Sequence, residues 1–386
     1  MPHPNKHIIN DISKCDNFAT SPKNSLTISP RSISLPCMNI TRFSLAALLA
    51  SSVLLTGANG QTTATTEPVG FTTINVRGKS GAANAFSTVV LPMERADAFV
   101  GACTGAIFST DANRTVITFP SNIFTANQFT GAGNQHYFRL SNGANAGDFS
   151  TIVANTLNSI TLSDDLNAVL ATTSTFAVTP YWTLSTALPS GGGLNSGSNA
   201  SAADTVTIYN ANFTGTVYFY SSTNNRWQNN LTAANDVIIP PGSGLGVTRK
   251  QAAAVGLVFP GSVPLGSSAV DINGSTSGVA TRNTLVGSAY PLASKRLADL
   301  GLYTGNSSTG VQGGSSATPS DTVTIYNPST GVGTVYFYST TNNRWQNNLT
   351  DASNVTIPEG AAVLVSRKQG RAPFTWYIPQ PAMALN

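Results

Sequence analysis

The sequence predicts an all-β protein with a barrel- or sandwich-like N-terminal domain followed by two duplicated β-sandwich-like units. β-Branched and aromatic runs recur roughly every 8–20 residues between Gly, Asn and Asp, a spacing typical of sandwiches and barrels. Only 9% of the 386 residues are charged, which disfavours long exposed helices, because these depend on Lys, Glu and Arg. A stretch of about 48 residues occurs twice, which indicates an internal duplication.

The first 60 residues are set apart from the rest of the chain. Residues 1–37 are polar and patternless, and we interpret them as a disordered extension or the product of a misplaced start codon. Residues 38–60 have the order of a signal peptide, with Arg42 before the apolar run FSLAALLASSVLL and small residues before Gln61. The run is short for a membrane span, which needs about 20 apolar residues, although an uncut N-terminal anchor is the alternative. We expect export to the periplasm, the cell surface or the medium, with no membrane span in the mature chain.

The next region, residues 61–188, is predicted to be the N-terminal β domain. Its strand candidates are FTTINVRG, FSTVVLP, GAIFST, RTVITFP, HYFRLSNG, FSTIVAN, SITLSD and FAVTPYW. Within it NAFSTVVLP (84–92) weakly echoes NTLVGSAYP (283–291). That echo is compatible with strands that interleave between the two regions.

The duplicated units are predicted at residues 189–260 and 321–386. Both contain DTVTIYN, GTVYFYS and TNNRWQNNLT, and the last segment is identical at 223–232 and 341–350. TVTIY and TVYFYS predict strands, and the pairs Asn224-Asn225 and Asn342-Asn343 predict turns because Asn tolerates positive φ. An Arg-Lys pair ends a strand in each unit, at 249–250 and at 367–368. A solvated rim is the favoured interpretation of these two pairs.

Residues 261–320 are predicted to connect the two units. TLVGSAYP predicts a strand, and SKRLADLGL (294–302) is the one short helix predicted, with Ser294 as N-cap and Gly301 as C-cap. NSSTGVQGGSSATPS (306–320) is predicted to be a flexible connector, with PSGGGLNSGSNASAA (189–203) as its counterpart before the first unit.

The composition excludes several function classes. After residue 60 the chain has 15 basic and 14 acidic residues, without the basic stripe that a nucleic-acid-binding protein needs. Cys103 and His136 are the only Cys and His there, so no internal disulfide and no Cys/His metal cluster can form. No Gly-x-Ser-x-Gly elbow accompanies His136, and Asp164 and Asp165 are adjacent on a predicted turn. We therefore expect no cofactor and no enzymatic activity.

The repeated Trp has two interpretations. In the favoured one, Trp227 and Trp345 are buried on the inner face of a hairpin, which stabilises each unit by roughly 2–3 kcal/mol. Arg226 and Arg344 would then lie on the solvent face, because neighbouring residues on a strand alternate. In the other interpretation the indoles stack on sugars and neighbouring polar groups bind hydroxyls. The candidate glycan site then comprises Trp227, Arg226, Asn229, Trp345, Arg344 and Asn347.

Several segments carry a resemblance to a known group of proteins. They are HYFRLSNGANAGDFSTIVANTLNSITL, PYWTL, DVIIPPGSGLGVTRK and YPLASKRLADLGL. Because of these segments and the signal peptide, the chain from about residue 69 to residue 386 resembles a family of exported β-repeat proteins. This family is uncharacterised, rich in paralogues and known mainly from Verrucomicrobia-type bacteria. The most specific elements are the Ile-Pro-x-Gly strand that ends in Arg-Lys and the Leu-x-x-Leu-Gly-Leu segment. The resemblance implies a secreted or surface-displayed protein and brings no activity, cofactor or catalytic residue with it.

Together these features predict a non-enzymatic exported structural, surface or adhesive protein. Its expected partner is a glycan or another copy of the chain at the cell surface. A carbohydrate-binding protein that uses the repeated Asn-Arg-Trp-Gln-Asn hairpins is the alternative, and a secreted hydrolase with a hidden acid pair is the third. Whether the two Trp side chains are exposed to solvent distinguishes the structural or adhesive protein from the carbohydrate-binding protein.

Overall fold

The structure is a computed structural model that describes residues 68–264, 266–275, 278–287, 295–358 and 360–378. The predicted extension and signal peptide, residues 1–60, lie outside the described residues. All described residues belong to one compact unit that is nearly all β, so the predicted fold class is confirmed.

The strands fall into three modules, which we call repeat 1, the inserted domain and repeat 2. Repeat 1 begins with β1 (Val69–Val76) and β2 (Ala85–Val90). The inserted domain then contributes β3 (Phe99–Ala102), β4 (Ile107–Asp111), β5 (Arg114–Thr118), β6 (His136–Leu140), β7 (Phe149–Asn155), β8 (Ser159–Leu162) and β9 (Thr175–Pro180). Repeat 1 resumes with β10 (Trp182–Thr183), β11 (Thr205–Tyr209), β12 (Gly215–Ser221), β13 (Arg226–Asn229), β14 (Thr232–Ala233), β15 (Ile238–Ile239), β16 (Gly244–Arg249) and β17 (Val255–Ser262). Repeat 2 consists of β18 (Ser268–Ile272), β19 (Thr281–Gly287), β20 (Thr322–Tyr326), β21 (Gly333–Ser339), β22 (Arg344–Asn347), β23 (Thr350–Asp351), β24 (Ala362–Lys368) and β25 (Phe374–Ile378).

Each repeat is a two-layer sandwich with the same topology. One layer is a six-stranded sheet, in the order β14-β13-β12-β11-β16-β2 in repeat 1 and β23-β22-β21-β20-β24-β19 in repeat 2. The other layer contains a two-stranded ribbon, β1-β17 or β18-β25. Apolar side chains that alternate along these strands fill the space between the layers, with Trp227 in one core and Trp345 in the other.

The inserted domain is a seven-stranded antiparallel sheet in the order β3-β9-β6-β7-β8-β5-β4. Its two edge strands follow one another in the chain, joined by residues 103–106. A core of its own contains Phe119, Phe124, Phe129 and Phe176, whose rings pack edge-on or tilted at centroid distances of 5.3–5.6 Å.

The module boundaries given by strand pairing differ from those predicted from the sequence. β1 and β2 fall in the predicted N-terminal domain (61–188), yet they pair with β17 and β16 of repeat 1. β18 and β19 fall in the predicted connecting segment (261–320), yet they pair with β25 and β24. The weak echo between 84–92 and 283–291 therefore marks equivalent strands, β2 and β19. These pairings join residues 75 or more positions apart along the chain, which local sequence patterns do not encode.

The helical segments differ from the prediction as well. In the predicted helix 294–302, a single 3-10 turn spans Leu297–Leu300, and Gly301 ends it with φ 65°, as predicted. Its N-cap is Arg296, without a side-chain bond, and Ser294 lies outside the described residues. A short helix that the sequence analysis missed, α1 (Leu184–Ala187), begins with a capping box between Thr183 and Thr186.

The two repeats contact each other through the outer faces of β2, β16, β19 and β24. A small cluster that includes Val90, Leu285 and Leu364 is buried there. The amide of Gly287 donates a hydrogen bond of 2.6 Å to the carbonyl of Gly242. The duplication therefore builds a joint core as well as two separate ones.

Candidate functional site

The repeated decapeptide forms the hairpin β13–β14 in repeat 1 and the hairpin β22–β23 in repeat 2. Trp227 is 0% exposed and Trp345 is 3% exposed. The indole Nε1 of Trp227 donates to the carbonyl of Leu188 at 3.0 Å, and its ring meets the edge of Tyr220 at 5.9 Å. Neither indole has a free face that could stack on a sugar, and this burial agrees with the interpretation of the Trp residues as internal braces.

The amide side chains of the decapeptide form hydrogen bonds within the hairpin and to the neighbouring strand. Asn224 donates to Gln228 at 3.2 Å, Gln228 donates to the carbonyl of Leu231 at 3.2 Å, and Asn229 donates to the carbonyl of Val217 at 2.9 Å. Repeat 2 contains the same three bonds, from Asn342, Gln346 and Asn347, at 3.3, 3.3 and 2.9 Å. One N–H donor of each of these side-chain amides is therefore used to fix the shape of the hairpin.

The remaining Asn residues provide the backbone geometry of the turns. Asn225 and Asn343 have φ of 48° and 50°, and Asn230 and Asn348 both have φ of 52°. Asn adopts this left-handed region at lower cost than other residues with a Cβ. The Asn-rich composition is thus explained by turn geometry and internal hydrogen bonds.

The two Arg residues of the candidate site are half-buried at the hairpins. Arg226 Nη2 donates to the carbonyl of Leu231 at 3.5 Å, and Arg344 forms an ion pair with Asp351 at 3.6 Å. Repeat 1 has Ala233 at the position of Asp351, so this ion pair belongs to repeat 2. The structure brings Arg226, Trp227 and Asn229 together on β13, and Arg344, Trp345 and Asn347 together on β22.

The most exposed part of each hairpin was not singled out by the sequence analysis. Leu231 is 85% exposed and Leu349 is 84% exposed, next to the positive-φ Asn at each turn. Val217 and Val335, on the strands next to these hairpins, are 42% and 44% exposed. An apolar residue inside a polar turn, present in both copies, is the sequence signal that could have found them. We call residues 226–233 and 344–351 tip 1 and tip 2.

The Arg-Lys pairs that end β16 and β24 do not form a solvated rim, because their Arg residues are buried. Arg249 is paired with Asp204 at 2.7 Å, and Arg367 is paired with Asp321 at 3.1 Å. Burial lowers the pKa of the Arg367 guanidinium, and the Asp321 carboxylate opposes that shift. An Arg placed after an alternating apolar strand looks like a surface residue in sequence, because its buried partner lies 45 or more positions away.

The same two carboxylates fix the Gly/Ser-rich segments that precede β11 and β20. The backbone amide of Asn195 donates to the Asp204 carboxylate at 2.7 Å, and the backbone amide of Gln312 donates to the Asp321 carboxylate at 2.8 Å. The amide of Gly314 also donates to the carbonyl of Tyr338 at 3.0 Å. The segment predicted as a flexible connector (306–320) is therefore attached to repeat 2, because its backbone groups find partners there.

His136 and Cys103 both lie in the packed interior of the inserted domain. His136 is 4% exposed, and its Nδ1 lies 2.9 Å from the carbonyl of Asn134 and 3.2 Å from that of Phe129. Burial lowers the pKa of His136 and raises the pKa of the Cys103 thiol to about 11. Neither group is placed as a nucleophile or base beside a cleft.

A buried ionic group lies where the inserted domain joins repeat 1. Arg139 contacts Glu94 at 2.8 Å and Asp97 at 3.8 Å. Burial raises the pKa of Glu94, and Arg139 partly offsets this. The cavity beside Glu94 has a volume of only about 20 Å³, which is room for about one water molecule. We interpret this group as a structural joint between the two modules.

Three carboxylates line an open cleft of about 310 Å³ between the inserted domain and repeat 2, namely Asp148, Asp164 and Asp271. Asp164 accepts hydrogen bonds from Ser150 and Ser163 at 2.6 and 2.7 Å, and Asp271 accepts one from Thr375 at 2.9 Å. Burial raises the pKa of Asp148, a hydrogen bond with Tyr377 opposes that rise, and the Asp271 charge adds to it.

Among the residues that the structure describes, no group of three or more His, Cys, Asp or Glu side chains is arranged to hold a metal ion. The same part of the chain contains no helix that is long and apolar enough to cross a membrane. Comparison of the chain with protein-family models, with curated proteins and with solved structures finds no match.

Proposed function

We propose that this protein is a non-enzymatic, exported structural or adhesive protein of the cell surface, and that its two hairpin tips are the parts that contact its partner. The observation that supports this most directly is the presentation of Leu231 and Leu349 at 85% and 84% exposure on two hairpins of the same internal structure. The signal peptide predicted at residues 38–60 supports the compartment.

Each tip is built to keep an apolar side chain in water. The Trp is held in the core, the amides fix the turn, and the Leu is left outside the packed layers. Removing a Leu side chain from water on contact contributes about 1.5–3 kcal/mol. Because the hairpins are internally hydrogen-bonded, little conformational entropy would be lost when a tip binds.

Two tips with the same turns and the same exposed Leu on one chain favour attachment to a repetitive surface. When one tip is bound, the second binds at a high effective concentration, and linked weak contacts can strengthen attachment by a factor of about 10²–10⁴. A structural or adhesive protein gains from this arrangement, since lasting attachment then needs no high-affinity site.

The test is the retention of the labelled full chain on the envelope fraction of cells that produce it. We expect Leu231→Ser and Leu349→Ser each to weaken retention by about 10- to 100-fold, because each leaves one tip, and the double variant to lose it. Ile107→Ser is the matched control, because Ile107 is an aliphatic residue 69% exposed on the inserted domain. It should bind as the unmodified chain does.

Three results would reject the proposal. One is a double variant that is retained as well as the unmodified chain while its urea midpoint is unchanged. A second is catalysis: release of nitrophenol from chromogenic glycosides that is lost in Asp148→Asn would support a secreted hydrolase acting in the acid-lined cleft. Binding on a glycan array that survives in the double variant would favour carbohydrate recognition away from the tips.

A further inference from the structure

The ribbon of repeat 1 has a free, uncharged edge. β1 pairs only with β17 among the strands that the structure describes, and the far edge of β17 is partly covered by the bridge between Ser262 and Glu94. β1 is eight residues long and reads VGFTTINV, without a charged residue. Edge strands in proteins usually avoid association by being short, charged or covered, and β1 is neither short nor charged.

The outer face of this ribbon is apolar as well. Val69 is 80% exposed, Phe71 is 72% exposed, and Val258 on the paired strand is 50% exposed. A surface cleft of about 540 Å³ adjoins it, between Phe71 and the Arg95–Trp182 pair. Clustered exposed apolar residues of this kind mark interaction sites more often than scattered single ones do.

The duplication supplies an internal reference for this surface. Phe259 and Ile378 each precede a proline, and their partners on the neighbouring strands are Thr72 and Ser268. Thr73 of β1 therefore corresponds to Ala269 of β18. Thr73 is exposed, whereas Ala269 is 6% exposed.

The inserted domain covers this position in repeat 2. A Cβ on Gly147 would lie 2.8 Å from the amide nitrogen of Ala269 and 2.8 Å from the carbonyl oxygen of Ser267, so the loop runs directly against the backbone of β18. The Tyr377 hydroxyl adds a hydrogen bond to Asn145 at 3.3 Å. The molecule thus protects one of two equivalent strands and leaves the other open.

We propose that a second copy of this chain covers β1, by antiparallel pairing of β1 with its own counterpart about a two-fold axis. The two ribbons would then form one four-stranded layer, β17-β1-β1-β17. Self-pairing fits the sequence of the strand, because uncharged strands bring no like charges face to face. Two-fold contacts of this kind are the commonest way in which identical chains associate, and the pairing places the Phe71 side chains of both copies on one continuous face.

The experiment is sedimentation velocity on the full chain over a dilution series. The unmodified protein should pass from dimer to monomer on dilution, and Thr73→Lys and Phe71→Lys should each weaken association by more than about tenfold, because a Lys on the edge brings like charges together. Ile107→Lys is the control, at an isoleucine 69% exposed on β4 of the inserted domain, and should dimerise normally. Equal urea midpoints show that the variants are folded.

Disulfide cross-linking gives a second measurement. With Cys15 and Cys37 replaced by Ser and Cys103 fully buried, one of Phe71→Cys, Thr73→Cys and Asn75→Cys should cross-link two chains faster than Ile107→Cys does. An unmodified chain that is monomeric throughout the series would overturn the proposal. So would a dimer that persists in both Lys variants, or a monomer that binds phosphatidylglycerol vesicles through Phe71.

Discussion

At the scale of single residues, burial decides the role of groups that the sequence left with two interpretations. Trp227 and Trp345 support the cores of their repeats, and Arg249 and Arg367 are buried ions rather than surface charges. In both cases the deciding fact is the partner on another segment. A sequence shows the residue type but not the group that faces it.

A buried ion pair stabilises the fold mainly by keeping each charge matched. We expect Asp321→Ala to lower the free energy of unfolding by about 3–5 kcal/mol, because it leaves Arg367 buried without its carboxylate. The measurement is urea denaturation. Asp299→Ala is the control, because the Arg296–Asp299 pair is about half exposed and should contribute little. A small effect for Asp321→Ala would mean that water reaches Arg367.

At the scale of elements, the hairpin is the unit that explains the repeated decapeptide. One segment supplies a core Trp, the amides that close its own turns and an exposed Leu at the end. The positions of the Asn residues follow from the turns, and turn chemistry is the part that sequence reasoning recovered best. The exposed Leu was not predicted, because the candidate site was built on the Trp and the polar residues of the decapeptide.

The left-handed turn of tip 2 can be tested with a matched pair of variants. Asn348 has φ of 52°, so Asn348→Gly should leave stability nearly unchanged. Asn348→Val should lower it by about 1–2 kcal/mol, because a β-branched side chain clashes with the backbone in this region. Urea midpoints of the two variants give the comparison. Equal midpoints would show that the turn relaxes to another conformation.

At the scale of the whole molecule, the contact between the repeats depends on close approach at Gly287. A Cβ there would lie 2.6 Å from the Val90 side chain and 3.0 Å from the carbonyl oxygen of Ser243. We expect Gly287→Ala to lower the free energy of unfolding by about 1–3 kcal/mol, as overpacking does. Gly266→Ala is the control, since no atom lies within 4 Å of its Cβ position. If both variants unfold alike, the repeats are not tightly packed.

Only part of the architecture of the whole chain could be predicted from the sequence. Sequence identity alone shows the near-identical part of each repeat, which runs from β11 to β16 in repeat 1 and from β20 to β24 in repeat 2. β1, β2, β18 and β19 were not assigned to the repeats, because β1 and β18 have little sequence in common and residues 99–180 separate β2 from the rest of repeat 1. Pairing between distant strands depends on shape and burial, which tolerate wide changes of sequence.

The sequence by itself determined the all-β class, the duplication, the first Asn turn of each repeated decapeptide and the expectation of export, because these depend on composition and short-range periodicity. The tertiary structure alone decided that residues 99–180 form a domain inserted into the first repeat, that the Arg side chains are paired in the interior and that Leu231 and Leu349 are exposed. It also shows that β1 is open while its equivalent is covered. The physical reason is that burial and pairing belong to contacts between segments far apart in the chain, and no local pattern records which segments meet.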